Sequence, residues 1–331
     1  MESPTRHLII INGNIAPPWD EGGTIIAIRF STSLDGKKTV ASRSPHDFQL
    51  PNCKNINVPL GKNKITEFWR HLWFVFRTAA ANKQINPGYS YYFPLCMPNL
   101  SHQVHCLLLY LANRSFTEII LQAGRPKRLW RLFSPFPLSI ASPLQMEKFQ
   151  KKGFNVQPFI LPSENLNKSY DKNLLREKYE LPKDQPVVLH IGHYNPHRGI
   201  DFIIDLANKN PGVFFLIVFS HRYPPPMANG LKRKNVVIIQ KYIKDIYEIY
   251  KAADLYIFPV KKSQGAIDVP LTLIEARNAN LPIICNALEG YKLILKDYPK
   301  SYFIDVTNRN QALEKASNYL NSLSKHYGKS H

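Results

Sequence analysis

Residues 187–201 read Val187-Val-Leu-His-Ile-Gly-His-Tyr-Asn-Pro-His-Arg-Gly-Ile-Asp201. The mostly apolar run from Val187 to Ile191 stops at a glycine, which predicts a short buried strand that ends in a loop. Beyond the loop, a helix is predicted over 201–208. A strand followed by a loop and a helix is the repeating unit of a parallel sheet, because parallel neighbours need a crossover connection.

The same alternation continues through the C-terminal half. Further strands are expected at 214–219, 236–239, 255–258, 281–285 and 302–305, and further helices at 243–253, 270–278 and about 311–323. Strands that alternate with helices predict an α/β fold with a parallel sheet covered on both faces.

The N-terminal half shows the pattern less clearly. Short strands are predicted at 8–12, 118–122 and 138–141, and helices at 24–30, at 67–82 and from the Ser142-Pro143 cap onward. A length of 331 residues suits two domains. We therefore expect an N-terminal domain over 1–165, a C-terminal domain over 166–310 and a helix over 311–331, for which packing back toward the N-terminal domain is one option.

Composition excludes several classes of protein. With 44% hydrophobic and 20% charged residues, the chain has the balance of a globular protein and not of a disordered one. No apolar run has the ~18 residues of a membrane-spanning helix, and the start of the chain does not resemble a secretory signal. The four cysteines form no Cys-x-x-Cys pair, which argues against a disulfide scaffold or a zinc ribbon. We expect a cytoplasmic protein.

Positive charge is concentrated in one region. The formal net charge is +19, and residues 51–150 contain 12 Lys and Arg against 3 Asp and Glu. Such a surface attracts phosphates. Two basic segments in this region also contain aromatic residues, namely 62–83 and 125–131. A helix of this kind can lie on an anionic membrane surface. It can equally be a core helix with charged ends, and the sequence leaves both readings open.

A candidate anion site follows from the order of the C-terminal elements. Ligands of doubly wound sheets bind at the carboxyl ends of the strands, where the loops 192–199 and 261–268 and the helix starting at Pro270 are expected. The first N–H groups of that helix, on Leu271 and Thr272, are suited to bind an anion. Positive charge comes from Arg198 and Lys261, whereas Lys262 is expected to be an exposed loop residue. Glu275, one turn further on, suits a hydroxyl-bearing group, so the combination suits a nucleoside diphosphate with its ribose.

These residues resemble a known family. The stretches 187–201, Ala253-Asp-Leu-Tyr-Ile-Phe-Pro259 and Asp268-Val-Pro-Leu-Thr-Leu-Ile-Glu-Ala-Arg-Asn-Ala-Asn-Leu-Pro-Ile-Ile284 are similar to glycosyltransferase family 4, the glycosyl transferases group 1. The resemblance implies the GT-B fold, in which two Rossmann-like domains face each other across a cleft. In the N-terminal half only Pro17-Pro-Trp-Asp-Glu-Gly-Gly23 and Phe136-Pro-Leu-Ser-Ile-Ala-Ser142 match.

The resemblance implies a role for each matching residue. Glu275 matches the second glutamate of the family's E-x7-E motif, which holds the nucleotide ribose. Arg198 matches a basic residue that binds the diphosphate, and the amides of Leu271 and Thr272 match backbone contacts to it. Gly22 and Gly23 would approach the phosphate and the sugar from the N-terminal domain.

The sequence also departs from the family pattern. The first glutamate of the motif falls at Ile267, so Asp268 is the nearest acid, and Pro270 stands where the family has a glycine-rich turn. His193 replaces an arginine that binds phosphate, and Gln122 replaces a histidine of the N-terminal domain. His193 and Lys261 are therefore candidates for supporting Arg198 at the diphosphate.

The prediction is a glycosyltransferase that moves a sugar from a nucleotide-sugar donor to a glycan or lipid-linked acceptor. The resemblance implies retention of configuration, and the lack of any Asp-x-Asp motif predicts metal-independent chemistry without a cofactor. A possible partner is an anionic membrane surface, at the inner face of the membrane. Two alternatives are a GT-B-like protein that binds sugar nucleotides or a partner without turnover, and a nucleic-acid-binding protein. The latter is disfavoured by the lack of a helix-turn-helix, RNP-type or zinc-finger signature, so no nucleic acid is expected.

Overall fold

The structure is a computed structural model that describes residues 5–17, 21–95, 100–121, 128–162, 168–219, 231, 233–261 and 268–327. The chain divides into two compact units, Met1–Asn165 and Leu166–His331. Each unit is built around one sheet in which the strands pair in parallel. The α/β fold class predicted from the sequence is therefore confirmed.

The described strands of the N-terminal unit form a seven-stranded sheet in the order β3-β2-β1-β4-β5-β6-β7. The strands are β1 Arg6–Ile11, β2 Lys37–Ser42, β3 Lys54–Asn57, β4 Tyr89–Phe93, β5 Phe116–Ile120, β6 Leu138–Ile140 and β7 Val156–Pro158. The helices are α1 Gly22–Ser33, α2 Lys64–Ile85, α3 Leu100–Ala112, a 3₁₀ helix Arg128–Phe133 and α4 Pro143–Gln150. The strand order reverses between β1 and β4, which makes this edge of the sheet a topological switch point.

The C-terminal unit repeats this plan with six described strands in the order β10-β9-β8-β11-β12-β13. The strands are β8 Val187–Gly192, β9 Phe214–Phe219, β10 Val236–Ile239, β11 Leu255–Phe258, β12 Ile283–Asn286 and β13 Ser301–Ile304. The helices are α5 Lys172–Lys178, a 3₁₀ helix Pro196–Arg198, α6 Ile200–Lys209, α7 Tyr247–Ala252, α8 Leu271–Asn278, α9 Glu289–Ile294 and α10 Arg309–Tyr327. Its switch point lies between β8 and β11, so the loops that follow these two strands are the expected ligand position.

Two apolar layers enclose the C-terminal sheet because successive strand residues point to opposite faces. Tyr256 and Phe258 of β11 pack into one buried cluster, together with residues of α7 and α8. Leu255 and Ile257 pack into the other cluster, together with residues of α6 and α10. Burying each such side chain contributes ~1.5–3 kcal/mol, so these layers fix the strand ends that carry the loops.

The last helix packs within the C-terminal unit. We expected a separate helix over 311–331. In the structure α10 begins at Arg309, and its residues Ala312, Ala316 and Leu320 are buried in the same cluster as Ile203 of α6. The described part of this helix therefore belongs to the core of the C-terminal unit. None of the helices in the described ranges is both long enough and apolar enough to cross a membrane.

Candidate anion-binding site

The two loops at the C-terminal switch point are tied together by backbone contacts. The N–H of Lys261 donates to the carbonyl of His197 at 2.8 Å. Gly199 has a φ of +74°, and a Cβ at this position would lie 2.2 Å from the carbonyl oxygen of Pro259. Only glycine accommodates both the positive φ and this close approach. The loop after β8 is therefore held against the end of β11.

Arg198 lies at the edge formed by these loops. The centre of its guanidinium is 5.7 Å from the centroid of the Phe258 ring. Its Nη1 lies 3.1 Å from the position that a Cβ at Gly192 would occupy. A side chain at position 192 would therefore crowd this guanidinium, and the glycine that ends β8 gives it room. His193, the next residue of the loop, is half-buried.

His190 is buried beneath this loop on β8. Its Nδ1 lies 2.9 Å from the carbonyl of Ile257, and its ring stacks on Phe258 with centroids 6.2 Å apart. Burial lowers the pKa of His190 to about 4, with the charge of Arg198 acting in the same direction and the Ile257 bond opposing it. The imidazole is thus neutral at pH 7, and we assign its proton to Nδ1 because the carbonyl can only accept. Among the described residues, Nε2 has no hydrogen-bond partner.

Glu275 lies in the middle of α8 and is only 3% exposed. Its Oε2 accepts a hydrogen bond from the Tyr250 hydroxyl at 3.1 Å, and the same hydroxyl lies 3.2 Å from the carbonyl of Thr272. Burial raises the pKa of Tyr250 well above its usual value, and the charge of Glu275 raises it further. Tyr250 is therefore a protonated donor that positions the carboxyl group.

Arg198 and Glu275 are connected through a row of aromatic rings on one face of the sheet. The ring of Tyr250 is 5.8 Å from that of Tyr256, which stacks on Phe258 at 6.1 Å. Burial raises the pKa of Tyr256, and the charge of Glu275 adds to this effect while that of Arg198 opposes it. Arg198 contacts Phe258 at one end of this row, and Glu275 accepts from Tyr250 at the other end, so both side chains border the same row of rings.

Helix α8 begins one position later than predicted. Pro270 is its cap residue and not its first helical residue, and the carbonyl of Pro270 accepts from the N–H of Leu273 at 3.1 Å. Leu271 and Thr272 then form the start of the helix, where N–H groups have no partner within the helix itself. Proline at the cap leaves these two N–H groups in place.

Lys261, a candidate for the diphosphate, forms an ion pair within the C-terminal unit. Its Nζ lies 2.6 Å from Oδ2 of Asp201 on α6, and Arg309 of α10 contacts the same oxygen at 2.8 Å. Burial raises the pKa of Asp201, but the hydrogen bonds from Lys261 and Arg309 outweigh it, so the net shift is downward. The lysine therefore connects the loop after β11 to α6.

The remaining predicted residues are spread over both units. Burial raises the pKa of Tyr291, and the charge of Asp268 raises it further while that of Arg198 lowers it. Gly22 and Gly23 form the first turn of α1, after β1 at the N-terminal switch point. A Cβ at Gly23 would be in ordinary contact with Leu95 at 3.5 Å. Gln122, Lys262 and Ile267 lie outside the described residues.

Sequence reasoning missed a buried polar cluster in the N-terminal unit. Glu118 is fully buried, and burial raises its pKa to about 7 although the amide of Gln103 opposes this shift. Ser134 donates to the side-chain oxygen of Gln103. His105 is also buried, with its Nε2 2.8 Å from the Thr78 hydroxyl. Within the described ranges, no group of three or more His, Cys, Asp or Glu side chains could hold a metal ion.

The family resemblance drawn from the sequence is supported by comparison with known proteins. Residues 171–329 match the family model for glycosyl transferases group 1. This range contains the loops and helix that carry Arg198 and Glu275. A comparison with curated proteins gives no match.

Several solved structures share the fold. A glycosyltransferase from Rickettsia africae is similar with a TM-score of 0.75 at 14% identity, and the alignment covers 96% of this chain and 89% of that one. WaaG, a glycosyltransferase involved in lipopolysaccharide biosynthesis, gives 0.67 at 17% identity over 98% and 95%. The sucrose-phosphate synthase of Thermosynechococcus elongatus gives 0.69 at 14% identity over 96% and 90%. At these identities the likeness shows the fold, which is GT-B, with two Rossmann-like domains.

Proposed function

We propose that this protein, whose residues 171–329 match the family model for glycosyl transferases group 1, transfers a sugar from a nucleotide-diphosphate sugar to a hydroxyl acceptor. The observation that carries the proposal is that Arg198 and Glu275 border the same row of aromatic rings at the C-terminal switch point. A cation in the loop after β8 and an acid on α8 match the two ends of a nucleoside diphosphate, which are the charged phosphates and the neutral ribose.

In this proposal the ribose binds at Glu275. A carboxylate accepts several hydrogen bonds, so the bond from Tyr250 does not exhaust its capacity. The diphosphate binds Arg198 and the N–H groups of Leu271 and Thr272, where the helix start favours negative charge. His193 lies in the same loop as Arg198 and is the further candidate for this contact. Asp268 is assigned to the donor sugar.

The reaction follows from where charge develops. The bond between the anomeric carbon and the phosphate oxygen breaks, so positive charge grows on the sugar ring and negative charge on the departing diphosphate. Arg198 and the helix N–H groups stabilise that negative charge more strongly in the transition state than in the bound donor. The acceptor oxygen forms the new bond to the anomeric carbon, and its proton leaves with the diphosphate or to water. We propose retention of configuration and no requirement for a metal ion.

The acceptor is proposed to be a glycan or a lipid-linked sugar that binds the N-terminal unit, while Gly22, Gly23 and Gln122 keep the roles that the family resemblance implies for them. The protein is proposed to work in the cytoplasm, peripheral to the inner face of a membrane. The residues that bear on this location are the exposed basic and aromatic side chains of the N-terminal unit.

A screen of nucleotide sugars by thermal shift identifies the donor. A ligand at 100 times its Kd stabilises the folded protein by about 2.7 kcal/mol, which is measurable as a rise in Tm. The selected donor is then incubated with candidate acceptors, and the anomeric configuration of the product is read by NMR. Donor binding without transfer to any acceptor in a cell extract would support a binding protein in place of an enzyme. Stabilisation by nucleic acid and by no nucleotide sugar would contradict the proposal.

A further inference from the structure

Helix α2 has two apolar faces. One face packs on the sheet through buried residues such as Phe74 and Ala81. The opposite face carries large apolar side chains at helical spacing, and each is 56–73% exposed: Ile65, Phe68, Trp69, Trp73 and Phe76. We call these five residues the α2 outer face. A helix of 22 residues is about 33 Å long. The α2 outer face is therefore an extended apolar surface, whereas an ordinary protein surface has single, scattered apolar residues.

The apolar surface continues onto neighbouring elements. Helix α3 packs beside α2, and the 3₁₀ helix Arg128–Phe133 packs beside α3. On α3 the residues Val104, Leu108 and Leu111 are exposed at helical spacing, and Leu132 of the 3₁₀ helix is 69% exposed. Three adjacent elements of the N-terminal unit thus present apolar side chains to solvent.

Charge around this surface is positive. The exposed basic residues on and beside α2 are Lys62, Lys64, Arg70, Arg77 and Lys83. Between residues 51 and 146 the chain has two acidic residues. Glu67 is paired with Arg43 at 2.9 Å, and Glu118 is fully buried. Neither acid therefore offsets the basic residues around the α2 outer face.

Several side chains of this surface are already oriented by local contacts. Nη1 of Arg70 donates to the carbonyl of Leu60 at 2.8 Å, and the guanidinium of Arg77 lies 6.0 Å from the Trp73 ring centroid. Asn63 and Thr66 cap the helix start with reciprocal hydrogen bonds. The outer face is therefore presented by a helix whose start and whose inner face are already fixed.

From these observations we infer that the α2 outer face docks on a bilayer containing anionic lipids. Tryptophan and phenylalanine side chains insert at the boundary between headgroups and acyl chains, while lysine and arginine contact anionic headgroups. A second copy of this chain would place the same basic residues against each other, which disfavours self-association through this face. This inference adds anionic lipids as the partner at the proposed membrane location. It rests on the proposed function only for the position of the acceptor, because docking itself needs no sugar transfer.

The direct test is co-sedimentation of the full chain with vesicles. Vesicles of phosphatidylcholine alone are compared with vesicles that contain 30% phosphatidylglycerol. We expect binding to the anionic vesicles, and this binding weakens as salt rises because exposed charges are screened. W69A/W73A is expected to weaken binding by about tenfold or more. R70Q/R77Q is expected to weaken it by about 30-fold, since each basic residue near an anionic surface contributes ~1 kcal/mol.

The matched control removes apolar side chains elsewhere. Leu174 and Leu293 of the C-terminal unit are also exposed, and L174A/L293A is expected to bind vesicles like the wild type. Equal binding by the wild type and W69A/W73A would overturn the inference, as would an absence of binding to anionic vesicles. The inference would also be overturned if the wild type bound no vesicles but formed a dimer that W69A/W73A cannot form. Binding of the wild type to an acidic protein, and to no vesicle, would overturn it as well. Thermal shift by a nucleotide sugar is expected to persist in both variants, so failure of the docking and failure of the proposed transferase activity are distinguishable.

Discussion

Gly199 has a backbone conformation and a close neighbour that leave no room for a side chain. Its φ is +74°, and the carbonyl of Pro259 occupies the space of a Cβ. We expect G199A to lower the free energy of unfolding by about 2–4 kcal/mol, because a left-handed backbone and a steric clash add together. Gly212 has no atom within 4 Å of its would-be Cβ. Chemical denaturation of G212A is therefore the control, and an equal loss in both variants would contradict the structure of this loop.

His190 makes the stability of the C-terminal unit depend on pH. Its pKa is lowered from 6.5 to about 4 in the folded state, so between these values the unfolded chain binds a proton that the folded chain does not. The stability contributed by the neutral ring is present above pH 6.5 and is lost as the pH falls toward 4, by about 3 kcal/mol at most.

H190N keeps a donor for the carbonyl of Ile257 but cannot be protonated. We expect urea unfolding of H190N to lose less stability than the wild type between pH 7.5 and pH 5. Some loss remains, because burial also lowers the pKa of His102 to about 4 and that of His105 to about 3. An unchanged pH dependence in H190N would show that His190 is not the buried neutral group described above.

At the residue scale, the sequence predicted which elements carry the candidate residues but not which side chains contact them. Arg198 follows β8 and Glu275 lies on α8, as the predicted order of elements requires, and their roles at the donor stay predictions. The Tyr250 hydroxyl that holds Glu275 was not predicted, because nothing local to Tyr250 indicates a carboxylate 25 residues away. The ion pairs of Lys261 were missed for the same reason, since Asp201 and Arg309 come from distant parts of the chain.

Lys261 provides a test at the scale of elements, because it joins the loop after β11 to α6. Its side chain is 33% exposed and that of Asp201 is 48% exposed, so we expect K261A to lower the free energy of unfolding by less than about 1 kcal/mol. Donor affinity, measured by calorimetry, is expected to change by less than about threefold, a small effect beside the tenfold of 1.4 kcal/mol. A loss of tenfold or more would instead assign Lys261 to the diphosphate.

Helix α2 offers a second test of an element, because its two faces carry the same residue type. Phe74 is fully buried, whereas Phe76 is 62% exposed. We expect F74A to lower the free energy of unfolding by about 3–5 kcal/mol and F76A to change it by less than about 0.5 kcal/mol. Denaturant titrations of both variants check this, and a comparable loss in F76A would mean that the outer face is covered within the protein.

Strands with long apolar runs were predicted from the sequence. Strands without such a run, which are held by pairing with a neighbouring strand, were missed. Strands β8, β9 and β11 were recognised from continuous apolar sequence, as expected for strands buried on both faces. Strand β2 begins with Lys37 and Lys38, and β4 carries three tyrosines, so neither has an apolar run. Their pairing with β1 is a tertiary effect, visible only once Ile9 lies between Val40 and Tyr91.

For the whole molecule, the two units carry different surfaces. The C-terminal unit holds Arg198 and Glu275 beside the aromatic row at its switch point, and the N-terminal unit holds the exposed apolar and basic side chains of α2. In the proposed function the C-terminal unit binds the donor, and the N-terminal unit binds the acceptor and contacts the membrane. Changes at the α2 outer face are therefore expected to leave donor affinity intact.

The central claim is that Arg198 binds the diphosphate while Glu275 binds the ribose. Calorimetric titration of the wild type, R198A and E275Q with a nucleoside diphosphate and its 2′- and 3′-deoxy analogues separates the two contacts, with E314Q as a control on an exposed helix position. We expect the wild type, R198A and E314Q to discriminate between the ribose and at least one deoxy sugar. R198A should bind every ligand about 10- to 100-fold more weakly, as for loss of a charged hydrogen bond. E275Q should lose the discrimination. Undiminished discrimination in E275Q, or wild-type affinity in R198A, would contradict the account.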